Sequence, residues 1–223
     1  MSELKEERRV EKTRGHQIYR LQDGSRVPGC TTIIGVMDKP HLVPWANRLG
    51  LEGISTKAYT DVLKDTGTLA HALVQADLEG WEVDTSEFSQ DQISDAETAF
   101  LKWLEFKARH SIELLGSEMQ LASEEHRYGG TLDAYVLMDG EPMLIDFKTG
   151  KKIYDEYSLQ LTGLRMLLSE HGQDVGSNDR NAILRLGRTA SEGFEFRQME
   201  LTNRHWKMFK ALLTVYELRK EIW

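Results

Sequence analysis

The sequence has a single cysteine, four prolines and no long apolar run among its 223 residues. One cysteine, Cys30, excludes an internal disulfide, a four-cysteine zinc site and a self-contained iron–sulfur cluster. No apolar run approaches the roughly 20 residues that a membrane-spanning helix needs. Residues 1–14 are charged throughout, so they lack the apolar centre of a secretion signal. These absences predict an intracellular protein with no membrane segment.

Basic residues are in deficit: 28 Lys and Arg stand against 36 Asp and Glu, a net charge of −8. This balance argues against a protein that coats nucleic acid by bulk attraction. It leaves open a protein that grips phosphates at one local site through a bound cation. The 40% hydrophobic and 29% charged content is that of an ordinary globular domain.

The order of predicted elements is helices, three strands, a helix, two strands and a last helix. The predicted strands are 117–123, 130–138, 141–149, 181–187 and 194–201. The predicted helices are 57–80 with a break at Gly67, 91–115 as the longest, 154–171 and 202–220. This order predicts an α/β fold with a mixed central β-sheet flanked by helices on both faces.

The region before this core reads as a separate extension. Residues 1–14 are expected to fray or to form a short helix. A strand from His16 to Leu21, a turn over 22–25 and a strand from Arg26 predict a β-hairpin, and Pro44 can open a short helix. We therefore assign residues 1–55 to an N-terminal extension and 56–223 to the core.

Asp139-Gly140 is a strong signal for a two-residue hairpin turn, because a type I′ turn needs positive φ at both central positions. Pairing outward from this turn places Asp133 opposite Asp146, and Thr131 opposite Lys148. Because strand side chains alternate faces, both aspartates and Lys148 then share one face.

The other face of this hairpin is entirely apolar, with Leu132, Ala134, Val136, Met143, Ile145 and Phe147. Both faces are therefore expected to be covered, which leaves two opposed carboxylates in a partly buried place, where they destabilise the sheet. A divalent cation such as Mg²⁺ or Mn²⁺ would compensate, since these ions prefer oxygen ligands. A trio in which Lys148 neutralises one aspartate would also compensate, and the pattern alone does not choose.

Several segments of the sequence resemble those of known nucleases. Gly130-Thr131-Leu132-Asp133, then Ile145-Asp146-Phe147-Lys148-Thr149-Gly150, then a helix with Gln160 resemble the RecB-type branch of the PD-(D/E)XK nuclease superfamily. Gly67-Thr68-Leu69-Ala70-His71 resembles the upstream helix that supplies a histidine ligand in that branch. Residues 27–34, followed by Lys39-Pro40 and Trp45-Ala46, are similar to the start of phage exonucleases and of the mitochondrial genome maintenance exonucleases.

The resemblance implies a restriction-endonuclease-like core and a DNA exonuclease dependent on Mg²⁺ or Mn²⁺. The metal ligands that it implies are His71, Asp133, Asp146, the Phe147 carbonyl and Glu118. The catalytic residues that it implies are Asp133, Asp146, Lys148 and Gln160. Lys148 would orient or help deprotonate the attacking water, and it would stabilise negative charge in the transition state. Gln160 would position Lys148 or a phosphate. In the family's Gln-x-x-x-Tyr motif the tyrosine position is here Leu164, and Tyr157 is a candidate substitute.

The substrate implied is DNA, as single strands or duplex ends, in recombination, replication or repair. Lys151, Lys152, Tyr157 and Arg165 are candidates for contact with it, and a single-strand-annealing or replication protein is a candidate partner. The expected location is the cytoplasm of a bacterial or phage-infected cell rather than a mitochondrion.

Two other functions stay open at this point. An endonuclease with the same site would also cut covalently closed circular DNA. A catalytically inactive DNA-binding or assembly module would be inert with either metal.

Overall fold

A five-stranded mixed sheet forms the centre of the structure, a computed structural model that describes residues 5–12, 17–40 and 42–222. The strands are β1 (Glu7–Arg9), β2 (Tyr19–Arg20), β3 (Arg26–Val27), β4 (Glu82–Asp84), β5 (Ile112–Ser123), β6 (Tyr128–Met138), β7 (Glu141–Lys148), β8 (Asn181–Leu186) and β9 (Phe194–Gln198). The helices are α1 (Cys30–Ile34), α2 (Leu42–Leu51), α3 (Thr56–Glu79), α4 (Gln90–Lys107), α5 (Tyr157–Glu170) and α6 (Asn203–Ile222).

The sheet order is β5-β6-β7-β8-β9. The pairs β5–β6, β6–β7 and β8–β9 are antiparallel. β7 and β8 are parallel, and α5 forms the crossover that a parallel connection requires. The predicted mixed α/β architecture is therefore confirmed.

Two apolar clusters cover the two faces of the sheet. On one face, α3 and α4 pack on alternate residues of β6, β7 and β8, around the fully buried Trp103. On the other face, α1, α5 and α6 pack around Leu144, Ile183 and Phe209. Because helices cover both faces, the strands read as nearly continuous apolar runs.

One predicted helix break and one predicted helix end are wrong. α3 continues through Gly67 without a break; a Cβ there would lie 3.2 Å from Thr149 Oγ1, so the missing side chain lets the helix approach the end of β7. α4 stops at Lys107, and residues 112–115, predicted as helix, begin β5. Leu114 and Leu115 suit either period, so the pattern did not reveal the change.

The N-terminal region is partly as predicted. β2 and β3 form the expected hairpin. His16, where the predicted strand begins, lies outside the described residues, as do residues 1–4, 13–15, 41 and 223. Residues 7–9 are not frayed or helical: β1 pairs in parallel with β4. The boundary between 55 and 56 remains a prediction.

The Asp139-Gly140 turn is confirmed. The two residues have φ of 54° and 85°, and β6 pairs with β7 from Met138↔Glu141 to Ala134↔Ile145. The Asp139 carboxylate also accepts the Ser111 N–H at 2.9 Å, which ties the turn to the residue before β5.

Gly140→Ala is expected to lower the free energy of unfolding by about 1–2 kcal/mol, because a side chain is disfavoured in the left-handed region. Urea titration measures this change. Gly50→Ala is the matched control: Gly50 lies within α2 and a Cβ there meets nothing within 4 Å. Alanine favours a helix over glycine, so this control should be neutral or stabilising. Equal losses in both variants would contradict the role of the turn.

Candidate metal and catalytic site

The pairing of β5 with β6 is irregular at two places: the register shifts between Leu114 and Gly116, and the pairing is interrupted again after Ser117. The register runs from Ser117↔Ala134 to Met119↔Leu132 and omits Glu118 and Asp133. Glu118 has φ of 47°, which is uncommon for a residue with a side chain. The alternation of faces changes here: Leu132, predicted to lie with Ala134, packs instead in the cluster of α1, α5 and α6.

The β6–β7 ladder also ends at this point. The predicted pair of Asp133 directly opposite Asp146 is wrong, because the last paired residues are Ala134 and Ile145. The Asp133 carboxylate instead accepts the Phe147 N–H at 2.8 Å, so a side chain takes the place of the next ladder partner. The predicted pair of Thr131 and Lys148 is likewise absent from this ladder. The Asp133 side chain therefore lies where the ladder ends.

His71 reaches this opening from α3. Its Nδ1 lies 3.6 Å from Asp133 Oδ2, and its ring packs edge-on against Phe147 with centroids 6.0 Å apart. One potential ligand atom from each of His71, Glu118 and Asp133 lies within 4.8 Å of the others. We call these three residues the cation cluster; its members come from α3, β5 and β6.

Asp146 and Lys148 form a buried ion pair beside the cation cluster. Asp146 is 1% exposed, its Oδ2 contacts Lys148 Nζ, and its Oδ1 accepts a hydrogen bond from Gln160 Nε2 at 2.8 Å. The Lys148 ammonium lies 5.0 Å from the centre of the Tyr157 ring. Helix α5 thus contributes Gln160 and Tyr157 to the surroundings of the pair. Gln160 contacts Asp146, and its predicted role toward Lys148 or a phosphate remains a prediction.

The site carries an excess of negative charge that favours bound cations. Burial raises the pKa of Asp146 to about 6, although Lys148 opposes this change and Asp133 adds to it. Burial acts against the charged form of Lys148, but the carboxylates of Asp146 and Asp133 outweigh it and raise the pKa of Lys148. Both groups therefore hold their protons more tightly, Asp146 mainly because it is buried and Lys148 because two carboxylates lie close to it.

Metal-free protein should lose stability relative to Asp146→Asn as the pH rises from about 4 to 7. The pKa of Asp146 is raised to about 6 from an unfolded value of 3.8, so its contribution is complete below pH 4 and is lost as the pH passes 6. The expected change is about 3 kcal/mol. Unfolding in urea with EDTA at several pH values measures it.

Asp95→Asn, which removes an exposed carboxylate on α4, is the control and should follow the wild-type profile. Parallel profiles for wild type and Asp146→Asn would contradict the buried charge.

A cavity of about 330 Å³ opens onto the cation cluster. We call it the inner cavity. Its wall includes Gln160 and three threonines of the motif segments, Thr31, Thr68 and Thr131. It also includes Tyr19, which sequence reasoning did not connect with the site. Tyr19 was missed because it reaches the cavity through tertiary packing of the N-terminal hairpin, for which the sequence has no local signal.

The predicted DNA contacts lie in different surroundings. Lys151 and Lys152 are exposed on the loop after β7, and Lys152 Nζ lies 4.9 Å from the Tyr154 ring centre. Arg165 donates to the carbonyls of Val175 and Gly176 and so holds the loop after α5. A DNA contact for each of these residues, and the Phe147 carbonyl as a ligand, remain predictions.

No helix in the described part of the chain is long and apolar enough to cross a membrane. No protein-family model matches the sequence, and no curated protein is significantly similar to it. Among solved structures, the fold is similar to an alkaline exonuclease (LHK-Exo) from Laribacter hongkongensis, with a TM-score of 0.40, 12% identity, and coverage of 71% of this chain and 80% of that chain. The same exonuclease in complex with dAMP gives a TM-score of 0.39 and 11% identity, with the same coverage. A likeness this distant carries no argument about activity.

Proposed function

We propose that this protein is a divalent-metal-dependent deoxyribonuclease that hydrolyses phosphodiester bonds at DNA ends. The observation that carries the proposal is the cation cluster beside the buried Asp146–Lys148 pair. Two carboxylates and one imidazole next to a lysine are the groups that such a reaction needs. The resemblance of the sequence motifs to RecB-type nucleases agrees with this chemistry and favours an exonuclease.

The donor set of the cation cluster suits Mg²⁺ or Mn²⁺. Two carboxylates offer the hard oxygen ligands that these ions prefer and balance the charge of a divalent ion. A neutral imidazole can complete the set, since histidine is a common metal ligand. Asp146 Oδ2 is buried and, apart from its ion pair with Lys148, has no hydrogen-bond partner in the described part of the chain. This atom is a further candidate ligand. A cation held here would supply positive charge at the scissile phosphate and activate a water molecule.

The surrounding side chains divide the remaining tasks. Lys148 places a positive charge where the phosphate oxygens gain negative charge in the transition state. Gln160 holds the Asp146 carboxylate through a hydrogen bond of 2.8 Å, and so fixes the partner of Lys148. Lys151 and Lys152, on the loop that follows β7, would contact the DNA backbone.

The test is cleavage of end-labelled single-stranded and duplex DNA with Mg²⁺, Mn²⁺ or EDTA. Wild type should release nucleotides from ends with either metal and none with EDTA. Asp133→Asn should lose nearly all of this activity, because it removes a ligand charge. Glu113→Gln, an exposed position on β5, is the control variant and should keep it.

Closed circular DNA separates the remaining functions. Cutting of this substrate would indicate an endonuclease with the same site. A wild-type protein that binds DNA but is inert with both metals on every DNA form would overturn the proposal and favour an inactive DNA-binding or assembly module.

A further inference from the structure

A second cavity borders the inner cavity. It has a volume of about 380 Å³ and is lined by residues 18–22 around β2, by the end of β5 and by His171 at the end of α5. We call it the outer cavity. Tyr19 and Gln120 line both cavities. Each cavity is at the small end of the range for ligand sites, about 300–1,000 Å³, so each suits one nucleotide, and Tyr19 stands where the two meet.

The Tyr19 side chain is fixed in this place. Its hydroxyl shares a hydrogen bond of 2.9 Å with Thr131 Oγ1. Its ring lies against Gly29 and Gly129, which form an isolated β-bridge. A Cβ on Gly29 would lie 2.8 Å from the ring, and one on Gly129 would lie 2.4 Å from it. Two glycines therefore let the ring rest on the backbone, in a place that borders both cavities.

The outer cavity offers groups that suit a nucleotide rather than a metal. Arg20 supplies a cation, and Gln22 and Gln120 supply neutral polar groups. His171 Nδ1 bonds to the Leu167 carbonyl at 2.8 Å, which fixes the orientation of its ring. The carboxylate of Glu124 is engaged by the Gln22 N–H at 2.8 Å.

We propose that Tyr19 is a stacking residue between two consecutive nucleotide subsites, one in the inner cavity at the cation cluster and one in the outer cavity. The proposal rests on the nuclease function proposed above and adds how the strand is held. A rigid aromatic ring beside a polar groove is the arrangement on which unpaired bases stack, largely without regard to sequence. The nucleotide in contact with Tyr19 is therefore unpaired when it binds.

The test measures binding and not cleavage. A fluorescein-labelled single strand of about 12 nucleotides is titrated in Ca²⁺, with an abasic site moved one position at a time. For wild type, the abasic site should weaken binding about tenfold at the position that stacks on Tyr19. Tyr19→Ala should weaken binding of the intact strand by a similar factor. An abasic site at that position should then weaken binding to this variant no further. Tyr19→Phe, which keeps the ring, should stay within about threefold of wild type.

Tyr216→Ala is the matched control, since Tyr216 is a half-buried tyrosine of α6 that lines neither cavity. Thermal melting verifies that each variant is folded. If Tyr19→Ala binds every strand as the control does, or still shows the full abasic loss at that position, stacking on Tyr19 is refuted while the nuclease function stands. If wild type neither binds nor cuts DNA, the proposed function itself fails.

Discussion

Lys148→Met should cut DNA at least about a hundredfold more slowly than wild type under single-turnover conditions. Methionine has a similar length but no charge, so the positive group that faces the phosphate oxygens is lost. Removal of one donor to developing negative charge costs about 10²–10³ in rate. The variant should still gain thermal stability with Mn²⁺, because the cation cluster does not include Lys148.

A lysine outside the site provides the control for this result. Lys57 lies at the start of α3, with 87% of its side chain exposed, and Lys57→Met should cut at the wild-type rate. Cleavage by Lys148→Met within about threefold of wild type would exclude Lys148 from the chemistry, since the charge loss is expected to cost far more.

The second large effect is on stability. Mn²⁺ at about 100 times its dissociation constant should raise the free energy of unfolding by about 2.7 kcal/mol. For a chain of 223 residues, this corresponds to a rise in Tm of roughly 5–10 °C. Glu118→Gln removes one of two carboxylates of the cation cluster, and most of this rise should disappear. Differential scanning calorimetry with Mn²⁺ and with EDTA measures both values.

Glu113→Gln tests whether the loss is specific. Glu113 lies on the same strand as Glu118 but is exposed, so this variant should keep the full rise in Tm. The cation cluster would be ruled out as the binding place if Glu118→Gln kept the full rise as well, or if wild type gained no stability from Mn²⁺.

The sequence predicted the hairpin because its turn is decided locally. Asp139-Gly140 requires positive φ at two positions, and the register followed from that requirement as far as Ala134↔Ile145. The prediction failed one residue further on, because Asp133 accepts the Phe147 N–H in place of a ladder partner. The neighbouring strand is irregular at the same point, at Glu118, and a regular alternation of faces does not predict such an irregularity.

The rest of the site could be predicted only in part, because its residues come from segments that are distant in sequence. His71 and Gln160 were found through motifs, and the structure brings each to a carboxylate, His71 to Asp133 and Gln160 to Asp146. The ion pair of Asp146 with Lys148, which the pattern left open as one of two arrangements, is present. Tyr19 was not predicted, because its place depends on close packing against two glycines that are far apart in sequence.

The backbone of Glu118 has a consequence for the order of events. A residue with a side chain at a backbone φ of 47° destabilises the fold by about 1–3 kcal/mol, and the packing of the surrounding sheet must compensate for this. This conformational free energy is compensated once, when the protein folds, and not again in each catalytic cycle. The backbone that carries Glu118 is therefore set before an ion arrives, so cation capture requires only an adjustment of side chains.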